Sequence, residues 1–128
     1  MAVDRPATIL IIGAGPIGLE TALYARYLGY DVIVCEAGDV CQQVQRWKHV
    51  RMFSPFELNC SPLGKAAIGS HDPQHSFPKD DEIITARQWM SDYLIPLAQT
   101  DLIRKHIQTN CRVISVSRTW LHKSDLDS

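Results

Sequence analysis

At 128 residues, with 13 basic against 14 acidic side chains and a formal net charge of −1, the chain has room for one buried core. It lacks the basic footprint of a nucleic-acid partner. Its longest apolar stretch, residues 8–19, is too short to cross a bilayer and holds three glycines. The opening "MAVDRP" has neither the basic nor the apolar region of a secretion signal, so no membrane partner and a cytoplasmic location are expected.

Thr8–Ile12 is an aliphatic, β-branched run without alternation, the pattern of a strand buried on both faces of a parallel sheet. It breaks into Gly13-x-Gly15-x-x-Gly18 and resumes with helical character. Pro16 falls in the first turn of that helix, where its missing N–H removes no hydrogen bond. Gly29 stands where a helix end favours positive φ, and a second strand, Asp31–Cys35, runs directly into Glu36.

In this strand, turn and helix context each glycine answers a separate demand. Gly13 permits the tight turn, Gly15 lets a pyrophosphate approach the backbone, and Gly18 lets the helix press against the strands. Ala14 and Ala22 are small in the same spirit. The free N–H groups of residues 15–18, Pro16 excepted, point at an anion along the helix axis. Glu36 follows Gly18 by 18 residues, close to the spacing of about 20 at which an acid bonds a ribose diol. An acid there repels a 2′-phosphate, which disfavours NADP as the ligand of this first site. The candidate cofactor-binding set is therefore Gly13, Ala14, Gly15, Pro16, Ile17, Gly18, Glu36 and Ala37.

Beyond Gly38 the signals weaken. A short helix is predicted over Val40–Arg46, followed by an irregular loop over about 51–84, where Pro55, Pro62, Pro73 and Pro78 forbid regular structure. A loop of that length usually serves function or moves. His71, Asp72 and His75 lie in it at spacings open to a metal, yet Pro73 and its surroundings favour a solvated loop. Thr85 and Gln88 form a capping box ahead of a helix over 85–99, with Ala86, Met90, Tyr93, Leu94 and Leu97 as its apolar stripe. Pro96 bends this helix or marks its last turn.

Strands over His106–Thr109 and Arg112–Ser117, with a turn at Asn110, close the pattern. A right-handed crossover is expected to place the third parallel strand beside the first, and the tail "TWLHKSDLDS" is expected to fray. The fold class is α/β, a Rossmann-like FAD/NAD(P)-binding fold with a parallel sheet, as one partial dinucleotide-binding domain over 1–128.

Cys35, Cys41, Cys60 and Cys111 show no C-x-x-C and no zinc spacing. Cys35 is expected in the core, and Cys41 and Cys60 in a loop open to oxidation. No general base, nucleophile or metal cluster stands out, and His49 reads as a solvated loop histidine.

The stretch "IIGAGPIGLETALYARYLGYDVIVCEAG" resembles the FAD-binding start of the two-dinucleotide-domain flavoproteins. "RWKHVRMFSPFELNCSPLG" and "ITARQWMSDYLIPLA...IQTNCRVISV" are similar, more distantly, to flavin-containing monooxygenases and related pyridine-nucleotide-dependent oxidoreductases. The resemblance implies that Glu36 holds the adenosine ribose, that Arg46 and Trp47 border the flavin, and that Ser54 and Asn59 lie in the nearby loop. Several family features are missing: a second glycine motif, an F-x-G-x-x-x-H signature and a redox cysteine pair. The expected glycine-glycine-tryptophan is present only as Gln45-Arg46-Trp47.

The expectation is thus the FAD-binding portion of a flavin-dependent oxidoreductase or monooxygenase that uses NAD(P)H, shortened and not self-sufficient for turnover. Two alternatives remain. One is an NAD-binding domain of a dehydrogenase built on the same glycines and Glu36. The other is a non-catalytic remnant or interaction module that self-associates through an uncovered sheet edge.

Overall fold

The computed structural model describes residues 7–118; the tail expected to fray, residues 119–128, lies outside them. Strand β1 (Thr8–Ile12) leads through the glycine turn into helix α1 (Pro16–Tyr27) and then strand β2 (Asp31–Cys35). Helix α2 (Gln42–Gln45), a 3-10 turn (Phe56–Asn59) and helix α3 (Pro62–His71) follow. Helices α4 (Ala86–Trp89) and α5 (Ile95–Ala98) are joined by a π-helical segment, Met90–Leu94. A second 3-10 turn (Arg104–His106) enters strand β3 (Ile107–Gln108).

The three strands are parallel in the order β1-β2-β3. Thr8 pairs with Asp31 and Ile12 with Cys35, while Val34 pairs with Ile107. The third strand was expected beside the first and lies instead beside the second. In a doubly wound sheet the first strands build outward in one direction, and the chain returns to the far edge of β1 only with a later strand. The pairing is fixed by the Glu36 N–H donating to the Gln108 carbonyl at 2.8 Å.

Ile9, Ile11, Val32 and Val34 share one face of the sheet and pack against the helices. The opposite face of β1 is open, with Leu10 49% and Ile12 62% exposed. The unbroken apolar run of β1 is therefore half covered, not buried on both sides as expected. The far edge of β1 pairs with no described strand.

Helix α1 starts and stops where its sequence demands. Pro16 occupies the first turn with Gly15 as the N-cap. At the other end the Tyr30 N–H donates to the Ala25 carbonyl and the Gly29 N–H to Arg26, with Gly29 at φ 97. This is the left-handed closure that glycine allows without strain.

The segment 51–84 departs most from expectation, because it holds a ten-residue helix, α3. Proline breaks a helix interior but suits its first position, and Pro62 sits there. Ser61 caps the helix, its Oγ accepting from the Gly64 N–H at 2.8 Å. The rest of the excursion folds back on itself: Met52 N–H donates to Ile84 O, Ala86 N–H to Val50 O and Phe56 N–H to Glu82 O, each at 2.8 Å.

The capping box at Thr85 and Gln88 forms as predicted. Pro96 does mark the last turn, and the helix accommodates it by slipping register, with the Ile95 N–H donating to Met90 O. The strand predicted over Arg112–Ser117 is absent. Those residues have no strand partner, and Ile114 and Val116 are exposed. None of the described helices is long and apolar enough to cross a membrane.

Candidate dinucleotide site

The site begins at the carboxyl ends of β1 and β2. Gly13 adopts φ 103 and its N–H donates to the Cys35 carbonyl at 2.8 Å, so the turn leaving β1 is stitched to β2. Gly18 presses against that turn: a Cβ there would collide with the Gly13 carbonyl oxygen and come within 3.5 Å of Ile11 Cγ2. A Cβ on Gly15 would meet nothing within 4 Å. The backbone at Gly15 thus faces open space at the mouth of α1. The first-turn N–H groups there have no intrahelical partner, which is the donor set an anion such as a pyrophosphate fits.

Glu36 stands at the end of β2 with both carboxylate oxygens engaged. Oε1 accepts from the Ala14 N–H at 2.9 Å and Oε2 from the Gly38 N–H at 2.8 Å. One side chain therefore ties the glycine turn to the loop after β2. An ionised carboxylate offers about four lone-pair sites, so two further donors can still be accepted. Ala37 is exposed beside it.

Cys41, expected in an oxidisable loop, is instead buried beneath this turn. Its N–H donates to the Ala14 carbonyl at 2.9 Å and its backbone is left-handed, at φ 59. Burial first, and the charge of Glu36 second, push its thiol up to about 12.

On the α1 side a cleft of about 400 Å³ opens next to the glycine turn. Its walls include Pro16, Ile17, Glu20, Asn59, Ser61 and Trp89. Trp47 packs at its margin, with its ring 6.3 Å from that of Trp89. Asn59 is fixed by donating to Ser54 Oγ at 2.9 Å and to the Pro55 carbonyl, while its own carbonyl accepts from Trp89 Nε1 at 2.9 Å. The structure thus brings Trp47, Ser54 and Asn59 to one region. Arg46 ends α2 exposed and His49 is also exposed. His71 and His75 point elsewhere, His75 Nε2 lying 2.7 Å from the Asp92 carbonyl and His71 3.7 Å from the Asp101 carboxylate.

Sequence reasoning missed the polar brace behind the cleft. Glu20 of α1 accepts from Ser61 Oγ at 2.6 Å and from the Tyr93 hydroxyl, and Tyr93 in turn accepts from the Ser61 N–H at 3.0 Å. Tyr93 is fully buried, and burial together with its bond to Glu20 holds its hydroxyl protonated well above the ordinary tyrosine range. Gly64 must lack a side chain because a Cβ would strike the Tyr93 hydroxyl. Two signals were available: a tyrosine inside an apolar helix stripe needs a partner for its hydroxyl, and Ser61-Pro62 is a helix start.

The profile of the pyridine nucleotide-disulphide oxidoreductases matches residues 10–123. The chain belongs to that family. Its similarity to solved structures runs the same way: the crystal structure of OTEMO in an FAD-bound form is 22% identical, with a TM-score of 0.58, and the alignment covers 88% of this chain and 20% of that one. OTEMO in complex with FAD and NADP is similar at 23% identity, with the same TM-score and coverage. These likenesses establish the fold, an α/β Rossmann-like arrangement on a parallel sheet. The chain spans about one fifth of the length of the OTEMO chains it matches. No curated protein matches it.

Proposed function

We propose that this member of the pyridine nucleotide-disulphide oxidoreductases is the FAD-binding portion of a flavin-dependent, monooxygenase-like oxidoreductase that draws reducing equivalents from NAD(P)H. The observation that carries the reading is the continuity of the site. Glu36 bonds the Ala14 N–H of the glycine turn, and Pro16 and Ile17 at the end of the same turn line the Trp89 cleft, so a ribose contact, an anion cradle and room for a ring system adjoin one another. The open Cα of Gly15 and the first-turn donors suit the pyrophosphate. Glu36, with acceptor capacity to spare, suits the adenosine ribose, and Ala37 flanks it. Trp47, with Arg46 next to it, suits the border of the flavin.

When bound, the flavin supplies the hydride and oxygen chemistry. The chain's own residues bind and orient it: the glycine turn fixes the phosphates, Glu36 excludes a 2′-phosphate by charge, and the Glu20-Ser61-Tyr93 brace holds the cleft wall against α1. The excursion from α2 to α4 favours FAD over NAD here. A simple nicotinamide domain replaces it with a second βαβ unit, whereas in this chain its residues 59–61 and 89 wall the cleft.

These residues carry a G-x-G-x-x-G motif at Gly13, Gly15 and Gly18, and binding and orienting FAD is the role proposed for them. A cytoplasmic setting is part of the reading. So is weak self-association through the open edge and face of β1, which size measurement across protein concentrations checks. The direct test is Gly15→Val, which places a side chain in the pyrophosphate's approach at a position where the Cβ itself meets nothing within 4 Å. We expect FAD affinity to fall at least about 100-fold with the circular dichroism unchanged. Undiminished FAD affinity in a folded variant overturns the assignment.

A further inference from the structure

Residues Cys35 and Cys111, 76 positions apart in sequence, meet with their Sγ atoms at 3.3 Å. The approach is imposed by the backbone. The Glu36 N–H donates to the Gln108 carbonyl at 2.8 Å, the Cys111 N–H returns to the Glu36 carbonyl at 2.8 Å, and the Asn110 N–H reaches the Gly38 carbonyl at 3.2 Å. Asn110 turns the chain between these contacts with φ 52, a left-handed position that asparagine tolerates. Cys111 is thereby laid over the end of β2. Cys35 is buried but stands apart from the helix-packed core, on the sheet face that carries Ile33. Both cysteines are free thiols.

We propose that Cys35 and Cys111 are a modification site, a dithiol that closes to an intramolecular disulfide by exchange with a low-molecular-weight disulfide such as oxidised glutathione. The order of attack follows from exposure. Cys111 is only partly buried, so its thiolate attacks one sulfur of the small disulfide, forms a mixed disulfide and releases one thiolate. Cys35 then gives up its proton, attacks Cys111 Sγ and expels the second thiolate. The protein loses two electrons and two protons, and the small disulfide is reduced to two thiols. Closing the bond draws the sulfurs from 3.3 Å to about 2.05 Å, a contraction within reach of side-chain rotation.

The geometry singles out this pair. Cys41 is fully enclosed, and Cys60 rests 3.9 Å from the Glu57 carbonyl with no second sulfur beside it among the described residues. Cys35 is the more buried of the two, and its thiol is held above its ordinary value by its hydrogen bond with Cys111 and by burial, so it serves as the resolving and not the attacking sulfur. A cytoplasmic disulfide of this kind is characteristically transient. Its location gives it leverage, because Cys35 adjoins Glu36 and its carbonyl holds Gly13.

The test needs no nucleotide and is independent of the FAD reading. The reduced 128-residue chain is treated with oxidised glutathione at mildly alkaline pH and examined by intact mass, thiol titration in denaturant and peptide mapping. We expect the four thiols to fall to two, a mass loss of about 2 Da, a linked Cys35–Cys111 peptide and full reversal by dithiothreitol. The oxidised chain should also melt about 5 °C or more higher, since the link closes a long loop. Cys60→Ser should behave as the parent, and Cys111→Ser, with unchanged circular dichroism, should lose the linked peptide and the melting shift. A persistent glutathione adduct without a cross-link, a link between other cysteines, or four unchanged thiols overturns the proposal.

Discussion

The glycine turn at residues 13–18 and the excursion at residues 51–84 meet at the same cleft, yet their structures are specified differently. In the turn, every demand is met within one βαβ unit: Gly18 yields to Gly13, and Glu36 caps Ala14 across 22 positions of a spaced motif. In the excursion, the decisive partners are remote. Ser61 and Tyr93 reach Glu20 across 41 and 73 positions. Motif chemistry thus fixes the shape of the turn, and tertiary packing fixes the walls of the cleft beside it.

The largest effect is expected from breaking the first region. Gly18→Val drives a branched side chain into the Gly13 carbonyl, a backbone atom that cannot rotate away. We expect a loss of more than about 3 kcal/mol in urea unfolding, or no folded protein. A variant as stable as the parent would show that the turn tolerates a helix standing farther from the strand.

The two faces of β1 sharpen the contrast at neighbouring residues. Ile11→Ala empties a buried position and should cost about 2–4 kcal/mol. Ile12→Ala, on the open face, should stay within about 0.5 kcal/mol. Equal costs for the two would mean that the open face is covered in solution.

Tyr93→Phe tests the long-range brace. It removes a donor from Glu20 and leaves the Ser61 N–H without its partner, so thermal and urea unfolding should report a loss of about 1–3 kcal/mol. The turn should be untouched, and the backbone amide resonances of residues 13–18 should keep their positions. A shift there would make the brace part of the turn's own specification.

The smallest effect is a pH slope. Cys41 is raised from 9.0 to about 12 in the folded chain. Above about pH 9 the unfolded state releases this proton while the folded state retains it, so folding stability falls as pH rises through that window. Tyr93, also raised, adds to the decline from its ordinary value upward. Stability measured from pH 8 to pH 10.5 should fall more steeply in the parent than in Cys41→Ala, and identical slopes would remove Cys41 as the cause.

What was legible in the sequence follows the same division. The strands Thr8–Ile12 and Asp31–Cys35 stand where apolar runs and flanking glycines put them, and the Thr85–Gln88 capping box formed because both partners lie three residues apart. Helix α3 was hidden by counting prolines without placing them, since Pro62 after Ser61 begins a helix and does not break one. The sequence signalled that Tyr93 needs a partner and that Ser61 starts a helix, but not that they meet at Glu20, because the three belong to separate elements. The position of β3 and the absence of a strand over residues 112–117 depend on sheet partners, which no local pattern names. Of the candidate site, the glycine turn and its tie to Glu36 follow a local spacing, while the Trp89 wall emerged only when the excursion folded back.

The central claim, that this is a flavin site, is tested most directly by titrating the desalted 128-residue chain with FAD and, separately, with NADH, following flavin or nicotinamide fluorescence. Saturable binding of FAD at least about 10-fold tighter than NADH is the predicted result. NADH binding as tightly as FAD, or a folded chain that binds neither, would contradict it.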